Sequence, residues 1–265
     1  MGRRTKKDYL WADRNFKTEW QRLKRIYHVT MYSYEETIKR NEIEAYLGRL
    51  PANQEIHYKD ELVARSYKEL NKNLEIRYAS MLREALFVRL VSMLELYFND
   101  ALTEVGNKSF DPFKSQGERT YKIAQLLSIG DVKEIQNEIV QNEIRSVVLG
   151  GFEKIKKFYH RKLDVDFAKA GVNLKGIEEM YSRRNLLVHA GGLIDKVYIS
   201  EFGDSSMKLG HKLHLSEEYF IDSLESTYNL VNYITHTLEG KYGFETSNLG
   251  KPLKNREEIR EVSTN

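Results

Sequence analysis

The run Arg183-Arg184-Asn185-Leu186-Leu187-Val188-His189-Ala190-Gly191-Gly192 combines groups able to act on a phosphodiester. Arg carries a permanent cation and a donor fork that matches phosphate oxygens. His exchanges a proton near neutral pH and can serve as general acid or base. Arg-to-His spacing alone is common, and Arg22 with His28 also satisfies it. Context sets the later run apart. A polar Asn185 follows Arg184, apolar residues come next, and Val188-His189 precedes small residues at an expected helix end. Arg183 also fits the spacing, but lacks the Asn directly behind it. A helix C-terminus is favourable to a cation, which suits His189 to phosphate contact or an acid role.

Other chemistries have less material. Cys is absent, which removes disulfides, thiolate metal sites and a cysteine nucleophile. His211 and His214 lie three apart on an expected strand, which places them on opposite faces and makes them poor joint ligands. There is no Gly-rich phosphate loop and no nucleophile-elbow Ser. We therefore expect neither metal nor cofactor. Lys154, Lys156, Lys157, His160, Arg161 and Lys162 form a basic stretch that reads either as a solvated helix face or as a track for RNA phosphates. Glu95 reads either as a supporting acid or as a paired surface charge. The net charge of +3, from 42 basic and 39 acidic residues, is too even to indicate nucleic acid by itself.

The elements that would hold these groups are mostly helical. No Gly or Pro lies between Pro51 and Gly106, and apolar residues recur at helical spacing from Leu74 to Val105. This predicts one long helix, or two joined near 71–73, stopped at Gly106-Asn107. Upstream, 9–28 reads as a helix, and Ser33 with Glu36 as a capping box opening another that ends before Gly48. Downstream, Asp131 opens a helix to Leu149, 152–170 reads as the next, and roughly 175–189 carries the motif. Lys196–Ser200 and Lys212–Leu215 alternate like strands and predict a hairpin, and Ser216 caps a final helix over 217–238. The expected fold is all-α with one small β-hairpin before the last helix. It divides into an N-terminal helical extension (1–60), a helical domain (61–240) and a polar tail (241–265). Without a secretory leader or a membrane-spanning window, the expected location is cytoplasmic.

On Arg184, Asn185 and His189 the chain resembles the HEPN superfamily (higher eukaryotes and prokaryotes nucleotide-binding), whose R-x4-6-H motif usually has Asn, Asp or His after the Arg. The order of elements is similar too, with an early long helix containing Ser92-Met93-Leu94-Glu95-Leu96-Tyr97-Phe98 and a final helix after the motif. The resemblance covers roughly 61–240, and the Gly-Gly-Leu-Ile-Asp run with the expected hairpin after it is similar to the bacterial branch near the RiboL-PSP and MAE_28990-like groups. It implies metal-independent RNA cleavage, in a toxin or phage-defence effector, by a homodimer whose two chains bring Arg and His to one cleft. It also implies an antitoxin or ATPase as a partner. In other members it implies a non-catalytic dimer that binds RNA, nucleotide or protein. The residues five apart on a helix lie about 140° apart around its axis, so Arg184 and His189 do not share one stripe. A composite site across two chains removes that difficulty.

Overall fold

The computed structural model describes residues 8–114, 131–203 and 207–245. The chain is mostly helical, with one two-stranded hairpin among the described residues. Helix α1 (Trp11–Tyr46) buries Phe16, Trp20, Leu23 and Tyr27, a spacing of four, three and four that keeps them on one stripe. Leu10 cannot cap it. Instead the carboxylate of Glu104 accepts from the backbone N–H of Trp11 at 2.8 Å and of Ala12 at 2.7 Å, using the attraction of a helix N-terminus for an anion. The expected cap at Ser33 does not form. Its hydroxyl donates back to the Val29 carbonyl at 2.8 Å, and α1 runs on unbroken.

The first half of α1 lies in the main core with α3 (Ala79–Lys108) and the last helix, α8 (Glu217–Tyr242). Trp20 Nε1 donates to the Leu224 carbonyl at 2.9 Å, and buried Asp13 accepts from Thr235 at 3.0 Å and pairs with Lys17 at 2.9 Å. The second half of α1 carries a smaller core, where Tyr34 and Ile38 pack with Ala64, Leu70 and Leu74. This core sits under the hairpin of β1 (Ile56–Tyr58) and β2 (Glu61–Ala64), paired antiparallel with Tyr58 opposite Glu61. Residue 60 falls in its turn, next to Lys59 at φ 56°.

Helix α2 (Tyr67–Lys72) is capped by Ser66 and passes through a π turn at Asn73–Tyr78 into α3. The break expected near 71–73 is this π turn. Gly106 is no stop, because α3 continues to Lys108. A Cβ there would lie 2.6 Å from Val140 Cγ1, so glycine lets α3 approach α4 (Val132–Leu149) closely. The expected helix over 152–170 is divided into α5 (Gly151–Phe158), a π turn (Tyr159–Leu163) closed by Asp164 at φ 53°, and a 3-10 turn (Phe167–Ala170). That path sets Tyr159 and Phe167 around the Phe98 ring, at 5.5 and 5.9 Å between centroids.

Helix α6 (Leu174–His189) carries the motif and starts at an Asn173 cap. The hairpin expected after it is absent, and Lys196–Phe202 is instead helix α7. Its cap explains the difference: Asp195 accepts from the Tyr198 N–H at 2.7 Å, and the coil turns Tyr198 into the interior, 2% exposed. A strand there would leave that ring without its pocket. Among the described residues a single antiparallel bridge, Leu193 with Lys212, joins this region. The polar tail beyond Glu245 lies outside the described residues.

Candidate active site

Adjacent positions on a helix are about 100° apart, and α6 uses this to send its two arginines to different neighbours. Arg183 is buried. Its guanidinium carbon lies 3.9 Å from the Tyr219 ring centre and 5.8 Å from that of Tyr198. Nε donates to Glu179 at 2.9 Å, Nη1 donates to the His214 carbonyl at 3.2 Å, and the Tyr198 hydroxyl donates to the same Glu179 carboxylate at 2.6 Å. Burial pushes both tyrosine hydroxyls above the ordinary phenol value. Arg183 thus clamps α7 and the approach to α8 onto α6, and is not presented to solvent.

Arg184 points to α3 and pairs with Glu95. The side chains are 17% and 28% exposed, so one edge of the pair reaches solvent. Arg184 Nε is buried with no hydrogen-bond partner among the described residues. Burial raises Glu95 above the usual carboxylate value, and the Arg184 cation opposes this without cancelling it. Tyr181, one turn before, is also buried, and burial and Glu95 raise its hydroxyl.

The side chains of Asn185 and His189 are exposed and enter no hydrogen bond or ion pair among the described residues. His189 ends α6, where the N–H groups of Ala190 and Gly192 both return to the Leu186 carbonyl at 2.9 and 2.8 Å. Gly191 and Gly192 take φ of +60° and +79°, the left-handed turn that halts the helix and leaves His189 at its rim. Along the axis the five-residue step from Arg184 is about 7.5 Å.

The basic stretch is more committed than its sequence suggests. Lys156 pairs with Glu153 and, at 2.8 Å, with Glu178, and Lys157 reaches Glu153 at 3.5 Å. Hydrogen bonding from Lys156 holds Glu153 down at about 2. Lys154 donates to Ser146 and Lys162 to the Lys114 carbonyl. His160 and Arg161 stay exposed without such partners among the described residues. His211 and His214 are exposed too, and among the described residues no three His, Asp or Glu side chains group to hold an ion.

Sequence reasoning overlooked Glu179, Tyr198 and Tyr219. Only the four-residue step from Glu179 to Arg183 was visible as an ion-pair signal. The tyrosines come from elements distant in the chain, one of them expected as a strand. Compared with protein-family models, with curated proteins and with solved structures, the chain matches none. Among the described residues no helix is long and apolar enough to cross a membrane.

Proposed function

We propose that the chain is a metal-independent endoribonuclease of HEPN type, acting as a homodimer in toxin or defence contexts. The reading is carried by one arrangement: a partly exposed Arg184 cation, oriented by Glu95, on the same helix as an exposed His189 whose side chain has no partner among the described residues. Arg184 has donors left after pairing with Glu95, and these can hold a non-bridging phosphate oxygen. His189 takes or gives the proton, Asn185 orients the substrate, and Glu95 positions the guanidinium. The 2′-hydroxyl loses its proton and attacks phosphorus. The 5′-oxygen leaves with a proton, and a 2′,3′-cyclic phosphate remains. Two chains supply the acid and the base that one chain cannot.

A second reading has its own support. The carboxylate of Glu95 already occupies Arg184, as expected of a non-catalytic dimer that binds RNA, nucleotide or protein. Incubating pure protein with RNA in EDTA separates the two. Cyclic-phosphate ends that depend on Arg184 and His189 support cleavage. Activity that vanishes in EDTA and returns with Mg²⁺ or Mn²⁺ overturns the mechanism, and binding without products favours the second reading.

A further inference from the structure

Two polar atoms of α6, Arg184 Nε and the Tyr181 hydroxyl, are buried without a hydrogen-bond partner among the described residues. A buried donor left unpaired costs stability, and folded proteins keep few of them. The two side chains are neighbours, since residues three apart share one side of a helix. Arg184 reaches from there to Glu95 of α3. Tyr181 is 7% exposed, and its ring lies 5.6 Å from that of Phe152, which lies 6.3 Å from Phe98, one turn after Glu95 on α3. Aromatic neighbours therefore hold the ring in the core. Burial raises the Tyr181 hydroxyl first, and the Glu95 charge raises it further. Tyr159, whose ring packs on Phe98 and whose hydroxyl is also unpaired among the described residues, is raised by burial alone. Of the two tyrosines, Tyr181 is the one that senses Glu95. The neighbouring pair on α6 shows the same three residue types with every bond made: Glu179 accepts from Arg183 and from the Tyr198 hydroxyl at 2.6 Å. Around Glu95 the arginine bond is present and the tyrosine bond is open.

We infer that Tyr181 is a positioning residue whose hydroxyl takes over the Glu95 carboxylate when Arg184 turns from it to a phosphate. The inference rests on the ribonuclease reading for the identity of that anion. A half-buried carboxylate that loses its cation carries a large penalty. A phenol O–H held ready in the same interface removes part of it, because a hydrogen bond to an ionised acceptor is among the stronger ones. Glu95 exchanges one donor for another, no proton is transferred, and the guanidinium is released toward the ligand. Tyr181 acts through Glu95 and Arg184 and does not touch the RNA.

The test is a double-mutant cycle in full-length protein carrying His189→Ala, which keeps the RNA intact, read by anisotropy of a fluorescent oligouridylate. Tyr181→Phe should weaken binding by about tenfold, the worth of a hydrogen bond to a charged group. With Glu95→Gln also present the loss should shrink to about twofold or less, because no carboxylate then needs a new partner. Tyr159→Phe is the control and should bind as the parent does. Thermal unfolding supplies a reading that a structural role would not give. Removing a hydroxyl that is unpaired in the free protein should leave the melting temperature unchanged or raise it. Unchanged binding by Tyr181→Phe, equal weakening in both Glu95 backgrounds, or a melting temperature that falls along with binding overturns the exchange. Inorganic phosphate separates this result from the functional reading. It should raise the melting temperature by about 2 °C through Arg184. A rise that disappears in Arg184→Ala and shrinks in Tyr181→Phe keeps the exchange even where RNA is neither bound nor cleaved, and the ribonuclease reading then fails. If the wild-type chain cleaves RNA and Tyr181→Phe binds and cleaves equally well, the reverse holds. With neither RNA binding nor an Arg184-dependent phosphate shift, both fall.

Discussion

Arg183 and Arg184 are neighbours in sequence yet belong to different parts of the protein, one stacked 3.9 Å from Tyr219 and the other paired with Glu95. The first is a buried cation held by Glu179 and the Tyr198 and Tyr219 rings. The second keeps an edge open.

The two should therefore fail in different ways. Arg183→Ala takes the cation from the partly buried Glu179 carboxylate, leaving it the Tyr198 hydroxyl, and empties the space against Tyr219, which should cost about 3 kcal/mol and lower the melting temperature by several degrees. Arg184→Ala should melt close to wild type but lose about a hundredfold or more in cleavage. Thermal unfolding beside an RNA cleavage assay would show it. Equal losses of stability would mean that Arg184 is structural as well.

If Arg184 holds the scissile phosphate as proposed, Glu95 competes with that phosphate for it. Glu95→Gln should tighten RNA binding near pH 7.5 by about fivefold, the worth of a partly exposed ion pair of about 1 kcal/mol. Because burial raises Glu95, its protonation starts above the usual carboxylate range as the pH falls. The gap between wild type and Glu95→Gln should then close through weakly acidic pH. The sign for stability is the same. A carboxyl with a folded pKa above its unfolded one stabilises most when protonated, and that contribution is lost as the pH rises through the folded value. Anisotropy titrations from neutral to acidic pH would check this, and a gap that widens on acidification would contradict it.

If two chains build one site, mixed mutants report on it. Arg184→Ala and His189→Ala homodimers should each be nearly inactive. Mixing them gives heterodimers that retain one Arg184 and one His189 on opposite chains. Partial recovery of cleavage is expected if one of each suffices. If both His189 side chains are needed, only a hybrid of wild type with Arg184→Ala should keep activity. Full activity from a monomer, shown by sedimentation, would remove the composite site.

The first sixty residues should be indispensable for folding. Deleting 1–60 exposes the faces of α3 and α8 that now meet Phe16, Trp20 and Tyr27. The remainder should show no cooperative melting by circular dichroism. A milder change, Asp13→Ala, leaves the largely buried Lys17 without its carboxylate and should cost about 3 kcal/mol. A cooperative transition near the wild-type temperature in the deletion would show that α1 is dispensable.

Helical periodicity and capping residues sufficed to read much of this protein from sequence, because both are local. Asp131 and Ser216 each accept from a backbone N–H within three residues, so α4 and α8 begin where those residue types predict. The motif residues and their place at a helix end were legible for the same reason. Partners distant in the chain were not. Glu95 and Arg184 are 89 residues apart, and Glu104 caps a helix that begins 93 residues earlier. The alternating pattern at 196–200 suited a strand, but the pocket offered to Tyr198 by Glu179 and Arg183 decided for a helix, through burial that no local rule contains. The same holds for the basic stretch. Its lysines are visible in the sequence, while the carboxylate of Glu178 that neutralises one of them arrives only with the packing of α6 against α5. Spacing set which residues could act; tertiary contact decided which charges were left free to do so.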